Sequence, residues 1–157
     1  MRASDQVNAP TGVLVLNVFK HGRQVGRWVS RKRLIERWDG NNLIVNGSKA
    51  QLAHLLAGDT TGRPVTQIGF GTNGAAPNVN NTALTGAFVK NTGTPTYPTS
   101  SQVRFPFTLL TSEANGLAII EFGLLCTDNT LFSRRVRGAA INKDNTISFS
   151  GTWTISF

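Results

Sequence analysis

Residues that build staples and reaction centres are scarce in this chain. Its 157 residues include one cysteine, Cys126, two histidines, one tyrosine and one methionine. A single cysteine excludes an internal disulfide framework and any site of several thiolates, and points to assembly in a reducing compartment. The histidines, His21 and His54, form no H-x-x-x-H or H-E-x-x-H pattern, and C-x-x-C is absent, so neither metal nor cofactor is expected. Charged residues are 15% of the chain, against the usual quarter. No apolar run approaches the ~20 residues of a membrane span. The first twelve residues are polar, which reads as no secretory leader and no membrane association.

Ser, Thr, Asn and Gly fill the space. The clearest pattern is the closing segment TISFSGTWTISF, residues 146–157. Its even positions are all Ser or Thr, while its odd positions carry Ile147, Phe149, Trp153, Ile155 and Phe157. Strict alternation predicts a strand with one buried face, and its neutral outer face suits contact with a neighbouring subunit. QVRFPFTLL alternates similarly, and Pro106 within it argues for an edge strand or bulge because proline donates no hydrogen bond. GLAIIEFGLLC is apolar on both faces except at Glu121 and reads as a central, covered strand. LFSRRVRG is its hairpin partner across TDNT, with Phe132 and Val136 on one side and Arg135 and Arg137 on the other. GVLVLNVFKHGRQVGRWVS predicts a hairpin turning at His21–Gly22. RKRLIERW is ambiguous, since Leu34, Ile35 and Trp38 would share one side of a helix.

One helix is expected, over residues 48–57. Ser48 and Gln51 have capping-box spacing, Leu52, Leu55 and Leu56 make an apolar stripe, and Gly58 sits where a helix-ending glycine belongs. With turn signals every eight to twelve residues or so, the expected fold is mainly β. It is an antiparallel β-sandwich over 41–157, preceded by an N-terminal arm and basic β-hairpin over 1–40.

Gly69, Gly71 and Gly74 spell G-x-G-x-x-G after a predicted strand. A dinucleotide site would need a helix immediately afterwards, and AAPNVNN does not supply one. These glycines are expected to serve turns that need positive φ. The long loop that follows is of the kind that often carries function. Cys126 reads as a buried structural thiol. Glu121 needs a partner inside its apolar strand, and Arg134 or Arg135 on the next strand is in reach, so a structural ion pair of Glu121 with Arg134 is expected. No catalytic constellation emerges, and the chain reads as non-enzymatic.

Net charge is +8, unevenly placed. Lys20, Arg23, Arg27, Arg31, Lys32, Arg33 and Arg37 crowd residues 20–37 against the single acid Glu36, and Arg134, Arg135 and Arg137 form a second cluster. Such patches attract nucleic acid or an acidic protein surface. Trp28 and Trp38 would then be available to stack on bases. A lone loop tyrosine, Tyr97, is a weaker pointer to carbohydrate.

Three segments, IGFGTNGAAPNVNNTAL (68–84), EFGLL with LFSR (121–134) and INKDNTISFSGTWTISF (141–157), resemble a group of small tailed-bacteriophage virion proteins. The resemblance spans residues 42–157. It implies a structural component of the tail, baseplate or fibre-attachment region, with capsid decoration or a neck or collar position as the alternative. The partners implied are further copies of the chain and other virion proteins, with possible contact to packaged DNA. Assembly would take place in the host bacterial cytoplasm.

Overall fold

The computed structural model describes residues 9–22 and 32–157. The elements run β1 (Thr11–Lys20), β2 (Arg33–Ile44), α1 (Gly47–Leu56), β3 (Val65–Gly71), β4 (Phe88–Asn91), β5 (Gln102–Leu109), β6 (Ala118–Cys126), β7 (Leu131–Asn142) and β8 (Ile147–Ser156). The fold is mainly β with one helix. The expected two-sheet sandwich is not confirmed, because all eight strands join one antiparallel sheet in the order β4-β3-β6-β7-β2-β1-β8-β5, nearly closed into a barrel. The long strand β2 keeps the halves together. It pairs with β1 over most of its length, then hands Leu43 and Ile44 to β7. Across the opposite seam, the Gly93 N–H donates to the Pro106 carbonyl at 2.7 Å, and Thr96 bridges to Arg104. Pro106 therefore lies on a terminal strand, where a missing donor costs no ladder bond.

Alternation in β8 does what its sequence predicts. Ile147, Phe149, Trp153 and Ile155 are buried and face Leu14, Leu16 and Val18 of β1 and Phe105, Phe107 and Leu109 of β5. Burial of each such large side chain is worth roughly 1.5–3 kcal/mol. Gly151 interrupts this inward row because its cross-strand partner Phe107 takes the space. A Cβ there would lie 2.5 Å from the Phe107 ring and 2.2 Å from the Val15 carbonyl. Phe70, Phe107, Phe122 and Phe149 then meet at the barrel centre, with tilted or edge-on rings. Phe157 departs from expectation. It lies past the end of β8 and is 55% exposed, outside the core.

A tight turn at His21–Gly22 is not formed. The partner of β1 is β2, with Lys20 opposite Arg33, so residues 21–32 make the connection. Within RKRLIERW, residues 33–38 are consequently strand, not helix. Pairing with β1 gives Glu36 and Trp38 the same inward face two residues apart, while Leu34 and Ile35 stay exposed where the β1–β2 register shifts. Arg23, Arg27, Trp28, Arg31 and the polar arm over 1–8 lie outside the described residues.

Helix α1 matches its expected extent, but not its expected inner face. Ser48 and Gln51 are buried, whereas Leu56 is 92% exposed. No side-chain cap forms. The Ser48 hydroxyl donates to the Val45 carbonyl at 2.8 Å, and Gln51 is engaged elsewhere. Gln51 Nε2 donates to Asp128 Oδ2 at 2.8 Å, while Gln51 Oε1 accepts from Arg63 at 3.1 Å, so polar bonds to the β6–β7 turn hold the helix. The C-terminus follows the glycine rule. Gly58 has φ +85°, its N–H bonds the Leu55 carbonyl, and the Asp59 N–H bonds the His54 carbonyl.

Candidate functional site

Three places carry the residues singled out from the sequence. The first is the loop over 72–87, which has no charged residue and lies over the outer side of β3, β6 and β7. Beneath it Glu121 and Arg134 form the expected pair. Arg134 Nε donates to Glu121 Oε2 at 2.7 Å, and both side chains are closed off from solvent. The other carboxylate oxygen accepts from the backbone N–H groups of Asn73 and Thr85, at 3.2 and 2.7 Å. The rest of the guanidinium donates to the carbonyls of Asn73 and Ala75 and to Asn81 Oδ1, each at 3.1 Å. Both charges are thus spent on fixing the loop, which accounts for a carboxylate in an apolar strand.

The glycines of the G-x-G-x-x-G segment act through size. None of Gly69, Gly71 and Gly74 has positive φ, contrary to the turn role expected of them. Gly69 pairs across the ladder with Gly123, and Leu84 of the loop sits in the notch between them. A Cβ would approach a Leu84 methyl to 2.4 Å at Gly69 and 3.0 Å at Gly123. At Gly71 it would meet the Glu121 carboxylate at 2.4 Å. Leu84 in turn packs on Val45, Leu125 and Leu131, a small apolar cluster separate from the main core.

The second place is the basic residues, which the structure divides. Arg134 is buried under the loop. Arg135 and Arg137 fill the gap where β2 and β7 diverge. Arg135 stacks on the Trp38 ring, 4.4 Å from its centroid, and donates to the Asn41 and Asp39 carbonyls of β2. Burial pushes the Arg135 guanidinium below its ordinary pKa. Arg137 lies 5.3 Å from the same centroid and pairs with Glu36. Trp38 also packs on Phe122 at 5.9 Å, so it is a wedge in the seam and not an open stacking platform. The single acid of the first basic run is therefore spent on the second cluster. Lys20, Lys32, Arg33 and Arg37 remain exposed near one end of the barrel, with Lys32 over the Phe19 ring at 4.0 Å.

The third place is the outer side of β5, β8 and β1. The ladder aligns Asn17, Ser150 and Thr108 in one row, Val15, Thr152 and Pro106 in the next, and Val13, Thr154 and Arg104 in a third. Short neutral groups occupy the centre. Charge enters at the margins, through Arg104 and through the Arg37–Asp39 pair on β2, 4.0 Å apart.

Sequence reading missed one charged anchor. Lys143 is 2% exposed, and its ammonium donates to Asn115 Oδ1, the Asp144 carbonyl and the Thr111 carbonyl at 2.8, 2.9 and 3.3 Å. Burial lowers its pKa. It holds the turn between β5 and β6 much as Arg134 holds the longer loop. Its signal, a lysine next to the Asp-Asn turn, resembles any surface lysine.

Cys126 is fully buried, and desolvation together with nearby Asp128 pushes its thiol up to about 12. His54 Nδ1 hydrogen-bonds Asp59 at 2.8 Å, and His21 Nε2 meets Ser148 Oγ at 2.8 Å. No cluster of three or more potential metal ligands occurs among the described residues. Compared with protein-family models, with curated proteins and with solved structures, the chain matches none.

Proposed function

We propose that the protein is a non-enzymatic structural subunit that assembles with copies of itself through the outer side of β5, β8 and β1. The observation that carries this is the central patch of Val13, Val15, Ser150, Thr152 and Thr154, set side by side by two full antiparallel ladders. Buried interface cores are depleted in charge, and short side chains allow close approach without desolvating ions. The bacteriophage virion setting has its support in the sequence resemblance over 42–157. On that reading the subunit belongs to the tail, baseplate or fibre-attachment region, with capsid decoration or a neck position as the alternative, and is assembled in the bacterial cytoplasm. Light scattering at low and high salt tests self-assembly. A defined oligomer that Thr152→Arg converts to a folded monomer supports it. A monomer under both conditions overturns it.

A second reading, contact with packaged DNA, is favoured by one observation. Lys20 and Arg33 stand directly opposite each other in the β1–β2 ladder. Like charges so placed cost stability, as at a site that a polyanion would neutralise. Duplex DNA affinity that falls steeply with salt supports this reading, and no binding at low salt excludes it.

A further inference from the structure

Lys143 and Asn115 meet at the open end of the β6–β7 hairpin, and their own backbones hold them there. The Gly116 N–H donates to the Lys143 carbonyl, and the Lys143 N–H donates to the Leu117 carbonyl, both at 2.9 Å. This double clamp sets the two side chains side by side. Lys143 Nζ is buried and donates to Asn115 Oδ1 at 2.8 Å, while Asn115 itself is exposed. Lys143 makes no ion pair among the described residues.

A buried ammonium surrounded by neutral oxygens gives up its proton more readily than a solvated one. Burial is the leading cause of the lowered Lys143 pKa, opposed by the charges of Asp144 and Glu113. Those two carboxylates are taken up elsewhere, Asp144 by Thr146 and Glu113 by Lys90 and the Leu110 N–H. A neutral amine keeps two N–H groups and gains a lone pair. The Asp144 and Thr111 carbonyls, at 2.9 and 3.3 Å, hold the two donors. The third direction, which meets the Asn115 side chain, then carries the lone pair. Since a carbonyl bond is about 1.23 Å long, the Asn115 amide carbon lies within about 4 Å of Nζ, close to the ~3–3.5 Å of a reacting pair.

We infer that Lys143 and Asn115 join in an isopeptide bond. The ammonium first loses one proton to solvent. The amine then attacks the Asn115 amide carbon and passes a second proton to Nδ2. The carbon–Nδ2 bond breaks, and ammonia leaves through the exposed side of Asn115. No oxidant or cofactor enters this balance. The product closes the hairpin covalently, which restricts the unfolded chain as a disulfide does, and the single cysteine among these 157 residues forms no internal disulfide.

Mass spectrometry of the denatured full chain tests the bond, on fresh protein and after long native incubation at mildly alkaline pH. The expected result is a species lighter by one ammonia, with a branched tryptic peptide joining the Asn115 and Lys143 segments. Asn115→Asp and Lys143→Arg should both keep their full calculated masses and give no branched peptide. Asn115→Asp places a carboxylate at an exposed position beside the ammonium, so circular dichroism should show it folded. A wild-type chain still at full mass after incubation overturns the proposal. Ammonia loss without the branched peptide overturns it as well, since that marks a succinimide at Asn115–Gly116, and so does conversion of Asn115 to aspartate.

Discussion

Glu121 and Arg134 share one 2.7 Å bond, and each directs its remaining capacity to the same loop. An isolated buried ion pair is often replaceable by apolar residues without loss, because desolvation cancels attraction. Here the pair also satisfies two N–H groups and two carbonyls that would otherwise be left without partners under the loop.

The first prediction follows directly. Glu121→Gln or Arg134→Met alone should cost about 3–5 kcal/mol, since each strands a buried charge. Glu121→Leu with Arg134→Met should still be destabilising, unlike a simple pair, because the loop's polar groups lose their partners. Urea unfolding measures both. Amide exchange at Asn73 and Thr85 should accelerate in every variant. A double variant as stable as wild type would show that the loop does not depend on the pair.

The second prediction concerns the Leu84 notch. Gly123→Ala should destabilise by about 1–3 kcal/mol through overpacking, and Leu84→Ala by about 2–4 kcal/mol through a lost contact and a cavity. Combining them should cost less than the sum, since the alanine methyl at 123 occupies space that Leu84 vacates. Strict additivity in a double-mutant cycle would argue that the two do not meet.

Much of this architecture was legible in the sequence, for reasons that particular residues make clear. The alternation of β8 and the Pro106 edge were readable because pleating and the missing N–H act locally. The Glu121–Arg134 pair was readable because a carboxylate among Ile, Phe and Leu demands a partner, and the hairpin supplies one. Other features depend on distant chain. Leu34, Ile35 and Trp38 would share one side of a helix in a segment too short to decide, and pairing with β1 makes it strand. Gly69 and Gly71 read as turn glycines because sequence does not reveal that residues 72–87 fold back over them. Closure into one sheet depends on β2 reaching β7 through two residues, which no local pattern encodes. Trp38 looked available for stacking until Arg135 and Arg137, about a hundred residues away, were found on its ring.

The third prediction concerns Cys126. Its thiol is buried and its pKa pushed up to about 12, so little nucleophilic thiolate exists at neutral pH. Native protein should resist a disulfide-exchange reagent, while the urea-unfolded chain should react at the rate of a free thiol. Rapid stoichiometric reaction of the folded protein would show that this core strand opens readily.

The last prediction is the response to acid. Asp128 is held below the ordinary carboxylate range, chiefly by the Thr130 N–H, with Gln51 and Arg63 contributing. Asp59 is lowered first by the Thr61 N–H, and Asp144 first by the Thr146 hydroxyl. For Glu113, burial acts upward but is outweighed by the Leu110 N–H and Lys90, leaving the group lowered. A carboxyl whose folded pKa is depressed binds its proton more readily in the unfolded chain. Its stabilisation is therefore present above the ordinary pKa and is lost as pH falls through the depressed one. The denaturant midpoint should be level from neutral pH to about 5, then decline below about pH 4. Asp128→Asn should lower the midpoint at neutral pH and make the acid decline shallower, because the variant has already lost what protonation removes. Should the wild-type midpoint stay level through the whole acid range, these hydrogen bonds contribute nothing to stability, and the turn that anchors α1 must be held by packing alone.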